Sequence, residues 1–114
     1  MKTETKKLLA DVVAACCSIG EFTSRQSFED YTASDLLRSA VERKFAIVGE
    51  ALVRLRETDR DAFDSVKDAA AVAGLRNRLI HGYDTVNNRI VWDIIQNELP
   101  KLKAEVEQLL GEGS

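Results

Sequence analysis

Residues 34–55 read SDLLRSAVERKFAIVGEALVRL, and this stretch decides the fold. Leu37, Val41, Phe45, Val48, Leu52 and Leu55 recur at steps of four, four, three, four and three. That rhythm draws a single apolar stripe along about five turns of helix. Ser34 is placed to cap its start, with Asp35 in the first turn where a carboxylate meets the positive end of the helix dipole. Arg43, Glu50 and Arg54 share a flank beside the stripe. They form either a solvated charged face or, for Arg43 and Glu50, the support of a polar pocket. Lys44 falls inside the apolar arc, where it snorkels outward or marks a protein contact.

On the N-terminal side, Leu8, Leu9, Val12, Cys16, Ile19 and Phe22 form a second stripe, over a helix from about Thr5 to Phe22. Thr23 to Ala33 is a polar connection, with Ser27-Phe-Glu-Asp30 resembling a capping box for a short extra turn. Phe28 and Tyr31 are its expected anchors. On the C-terminal side, Thr58 to Asp64 is a charged connection with no strand pattern. Ser65-Val-Lys-Asp68 offers another N-terminal signature, ahead of a helix at about Val66 to Ile80. The small-residue run Ala69 to Gly74 allows a neighbouring helix close approach, and Gly82 suits a left-handed helix end. Asn87 or Asn88 caps the last helix. Its apolar face is Ile90, Val91, Ile94 or Ile95, Leu99, Leu102, Val106 and Leu109, with Trp92 alongside. Pro100 interrupts that helix and predicts a kink over 96–100. The final Gly-Glu-Gly-Ser is expected to fray.

One proline and six glycines are too few for the turns of an all-β fold. Four periodic segments therefore predict an all-α, up-and-down four-helix bundle, and 114 residues fit one domain, 1–114. A net charge of −3 argues against charge-driven coating of nucleic acid, although a few arginines can make a local cleft positive. Adjacent Cys16 and Cys17 diverge by about 100° on a helix and do not bridge readily. One histidine and a Cys-Cys pair supply no zinc-ligand spacing, and no metal or cofactor is expected. The start, Met-Lys-Thr-Glu-Thr-Lys-Lys, reads as neither a signal peptide nor a spanning segment. A cytoplasmic location is the expectation.

Chemistry concentrates in Gly74-Leu-Arg-Asn-Arg-Leu-Ile-His-Gly-Tyr83, which holds the single histidine, His81. Its plain reading is structural: an imidazole near free carbonyls at a helix end, an arginine paired across the bundle, and a tyrosine packing the exit loop. Its functional reading is phosphodiester chemistry. Arg76 supplies a planar fork of donors for a phosphate, and His81 moves protons near neutral pH. In RNA the 2′-hydroxyl can attack phosphorus, so a base, an acid and charge stabilisation suffice. A lone histidine does not easily serve as both base and acid, which favours a symmetric dimer sharing one cleft.

Arg76, four residues, His81, one residue and Tyr83 form an R-x4-H-x-Y signature. Together with Ile47-Val-Gly-Glu-Ala51, Gly74-Leu-Arg-Asn77, Leu79-Ile-His-Gly-Tyr83, Ile90-Val-Trp92 and Leu99-Pro-Lys-Leu102, it resembles the HepT-like branch of HEPN-domain proteins over nearly the whole chain. The resemblance implies a homodimeric helical bundle with Arg76 and His81 as the pair of a metal-independent endoribonuclease toxin. It implies an MntA-like nucleotidyltransferase antitoxin as partner, AMPylating Tyr83, and RNA as substrate. Asn77 is a further candidate, for orienting phosphate or fixing the motif backbone. Lys44 departs from the uncharged polar residue expected there. The alternative is a non-catalytic subunit that presents Tyr83 as acceptor to the nucleotidyltransferase, and a third reading is a purely structural dimer.

Overall fold

The computed structural model describes the backbone of residues 1–81 and 87–112, with side chains for all of these except 76–81. Described residues form α1 (Thr3–Thr23), α2 (Phe28–Ala33), α3 (Asp35–Thr58), α4 (Arg60–Asp64), α5 (Ala69–His81), α6 (Asn88–Asp93) and α7 (Leu99–Glu112). A π-helical turn, Ile94–Glu98, joins α6 to α7. No strand occurs among the described residues, and the all-α expectation holds.

The predicted central stripe is the spine of the bundle. Val41, Phe45, Val48, Leu52 and Leu55 are fully buried, while Leu37 is half-buried at the helix start. Ser34 Oγ accepts the Leu37 N–H at 3.0 Å, so the cap sits where the sequence puts it. α3 packs against α1 on one side and α5 on the other. Contacts from the start of α1 reach the end of α3: Thr5 Oγ1 donates to Asp59 Oδ2 at 3.2 Å, and Lys2 Nζ donates to the Thr58 carbonyl. The two helices are therefore antiparallel. α7 lies on the other flank of α1.

Several local expectations shift for identifiable reasons. Phe22 is 37% exposed, and Thr23 takes the core position one step on. A threonine is tolerated there because its hydroxyl donates to the Ile19 carbonyl at 2.8 Å. The charged connection after α3 is not structureless but holds α4, nucleated by Asp59, whose Oδ1 accepts the Ala62 N–H at 3.1 Å. Ser65 ends α4, its hydroxyl donating to the Asp61 carbonyl, and α5 starts at Ala69 rather than Val66. Lys67 N–H donates to Glu105 Oε2 at 2.9 Å, which ties this corner to α7.

The Ser27 capping box is complete. Ser27 Oγ accepts the Asp30 N–H, and Asp30 Oδ2 accepts the Ser27 N–H. It starts α2, whose Tyr31 is fully buried. Asn87, not Asn88, caps the last helix, accepting N–H bonds from Arg89 and Ile90. Over 96–100, where the proline predicts a kink rather than a full break, the helix is not broken: helical turns run on through Pro100. The Leu99 N–H reaches back five residues to the Ile94 carbonyl, and this wider turn absorbs the donor that proline lacks. Ile95 rather than Ile94 is buried, and Ile90 is 37% exposed, leaving Val91 and Trp92 to fill the core at α6. α7 runs through Glu112, and the remainder of the expected frayed tail lies outside the described residues. No helix among the described residues is long and apolar enough to cross a membrane.

Candidate functional site

α5 carries both Arg76 and His81 on its backbone. Their side chains, and those of Asn77 to Ile80, lie outside the described residues, as do Gly82 and Tyr83 entirely. The register is nonetheless informative. Residues 76 and 81 are five steps apart on a helix that continues through His81, so their backbone positions diverge by about 140°. α5 ends at His81, so the pair is brought together either by that termination or by contribution from two protomers.

The two positions also belong to different faces. Position 76 is in register with Ala69, Val72 and Ala73, all buried on the side where α5 packs on α3. Position 81 is in register with Ala70 and Gly74, which are exposed. The small-residue run therefore splits: half meets α3, and half faces outward. A β-carbon built at Gly74 meets nothing within 4 Å. The close approach predicted for these residues is not used on that outer face within one chain.

Arg43 and Glu50 stand exposed on α3 and form no ion pair among the described residues. Glu50 lines a surface hollow between α1 and α3 with Lys7, Asp11 and Arg54. Lys7 and Asp11 pair with each other along its α1 wall at 2.9 Å. The predicted charged flank thus forms a real hollow, but on the α1 side of α3. Lys44 is half-buried, as a snorkelling stem requires. Among the described residues no cluster of three or more His, Cys, Asp or Glu could hold a metal ion.

Sequence reasoning missed an aromatic cluster where α2 meets α6. The Trp92 ring lies 5.5 Å from Tyr31 and 6.4 Å from Phe28, and the Arg89 guanidinium sits 4.2 Å over the Phe28 ring. Anchoring by Phe28 and Tyr31 was legible; their meeting with α6 was not, because nothing in periodicity specifies which helices pair. Burial, reinforced by Glu42 and opposed by Arg38, pushes the Tyr31 hydroxyl up to about 12. Burial, with Cys17 adding to it, likewise pushes the Cys16 thiol up to about 12, so Cys16 is an inert core residue.

The family model described as "Ribonuclease HepT-like" matches residues 13–109. A relative from Caldanaerobacter subterraneus subsp. tengcongensis, named as a candidate RNase, is 34% identical and aligned over 96% of each chain. A Methanocaldococcus jannaschii relative with the same kind of name is 33% identical over 93% of this chain and 96% of its own. A "probable ribonuclease HepT" from Thermococcus cleftensis is 31% identical over 96% of this chain and 98% of its own. No solved structure matches. With an all-helical bundle carrying Arg76 and His81 on one helix, and a family match spanning all but the chain's ends, this protein belongs to the HepT-like ribonuclease family.

Proposed function

We propose that this chain is the toxin of a toxin–antitoxin pair, a metal-independent endoribonuclease that works as a homodimer. The carrying observation is the divergence of Arg76 and His81 on a helix whose His81 face, at Ala70 and Gly74, is open. A second copy laid on that face would bring two His81 positions together, with Arg76, in register with the α3-facing residues, reaching the shared cleft around the edge of α5.

In this reading His81 of one protomer takes the proton of the RNA 2′-hydroxyl. The freed oxygen attacks phosphorus, forming the P–O2′ bond as the P–O5′ bond breaks. His81 of the second protomer gives a proton to the departing 5′-oxygen. The products are a 2′,3′-cyclic phosphate and a 5′-hydroxyl. Arg76 neutralises the charge that builds on the phosphoryl oxygens. RNA supplies its own nucleophile, so the step uses no metal. Asn77 orients the phosphate or the motif backbone. Glu50, on the α1 side of α3, and Arg43, exposed on the same helix, are supporting candidates.

Tyr83, two residues beyond His81, is the proposed AMPylation site for an MntA-like nucleotidyltransferase partner. Added adenylate would place anionic phosphate beside the cleft and compete with RNA for it. Purified protein should cleave RNA in the presence of a chelator, and His81→Ala should abolish cleavage with the helical spectrum intact. Cleavage that survives the substitution, or that requires added metal, refutes the assignment. Co-expression with the nucleotidyltransferase should add adenylate mass at Tyr83. An adduct on a chain that never cleaves RNA would instead indicate the acceptor-subunit role.

A further inference from the structure

Arg89 is oriented by an aromatic ring rather than by a carboxylate among the described residues. It stands exposed at the start of α6, its guanidinium 4.2 Å over the ring of Phe28. Among the described residues it forms no ion pair, although Asp93 lies one turn on. Stacking on an aromatic ring removes much of the rotamer freedom of the side chain while leaving its outer face in solvent. Phe28 in turn meets Trp92 at a tilt, and Trp92 meets Tyr31, both of them buried, so the ring under Arg89 is backed by the core. Arg56 and Arg60 also approach a ring, Phe63, but at 5.6 and 5.8 Å, and Arg60 is tied to Asp64. They belong to the α3–α4 corner that precedes α5, whereas Arg89 follows it. Asn87, which caps the turn bearing Arg89, is six residues from His81 and so within about 22 Å of it by chain length alone.

Resting on the ribonuclease reading above, we propose that Arg89, mounted on Phe28 on the helix that follows α5, is a base-stacking platform for single-stranded RNA. A guanidinium plane accepts a nucleobase on its free face, and aromatic or arginine platforms of this kind are how unpaired bases are gripped without sequence readout. The cation also supplies a local positive charge on a protein whose net charge is −3. Arg89 is thus a substrate-positioning residue, distinct from the groups that move protons.

The test uses the full chain with a single-stranded RNA oligonucleotide. Arg89→Ala should raise KM about tenfold, as loss of one stacked base does, with kcat changed less than about twofold. Arg89→Lys keeps the charge but not the plane, and should behave like Arg89→Ala. Trp92 is the single tryptophan and reports on the stack. RNA bound to the His81→Ala protein should change its fluorescence, and Arg89→Ala in that background should remove the change. Unchanged KM in Arg89→Ala, or full rescue by Arg89→Lys, overturns the proposal. A protein that cleaves nothing but binds RNA in an Arg89-dependent manner overturns the ribonuclease reading and leaves the platform standing.

Discussion

Arg76 and His81 stand about 140° apart around α5, the first in register with residues buried toward α3, the second with residues open to solvent. Phosphodiester cleavage needs a base and an acid, and this chain holds one histidine. The single imidazole fits a site completed by a second copy, with Arg76 reaching it from the α3-facing side of α5.

If both histidines of a dimer are needed at once, mixing wild-type protein with inactive His81→Ala protein should be more than dilutive. After subunit exchange, activity should fall as the square of the wild-type fraction. A linear fall, measured as initial cleavage rate against mixing ratio, would show that each protomer works alone.

The open face of α5 gives a separate prediction. A β-carbon at Gly74 meets nothing in its own chain, so Gly74→Ala should stabilise the helix by about 0.5–1 kcal/mol in a monomer. Gly74→Leu should leave the helical spectrum and unfolding midpoint of the monomer intact but drive a dimer apart, because close helix approach depends on the missing side chain. Sedimentation at matched concentration checks both. A dimer that tolerates leucine would move the interface elsewhere.

Tyr31 offers a stability prediction. Its ring is fully buried against Trp92, yet its hydroxyl has no hydrogen-bond partner among the described residues. Tyr31→Phe should therefore equal or exceed the wild type in stability, by up to about 1 kcal/mol, whereas Tyr31→Ala should cost about 3–5 kcal/mol. The pH dependence follows from sign. The folded state holds the phenol neutral up to about 12 against an ordinary 10. The unfolded chain thus loses its proton first, and stability from this group, complete below pH 10, drains away between 10 and about 12. Cys16, raised from 9 to about 12, drains in an overlapping window. Tyr31→Phe should flatten part of the alkaline decline in denaturation midpoint. A decline identical to that of the wild type would contradict the assignment.

How far the sequence reached is clearest at α3 and α5. The stripe from Leu37 to Leu55, the Ser34 cap and the Ser27 capping box are local: each needs only residues within a turn or two, so spacing along the chain specifies them. Arg76, His81 and Tyr83 were nameable for the same reason, since their residue types and spacing are carried in the chain itself. What the tertiary structure decided was non-local. Periodicity could not say that α5 offers only half of its small residues to α3, that Glu50 falls on the α1 side, or that Trp92 meets Phe28 and Tyr31. It placed the irregularity before Pro100 at 96–100, without a full break, but not its form as a wider turn. Those outcomes depend on which faces meet once the helices pack, and burial against a partner is a property of the assembled bundle rather than of any one helix.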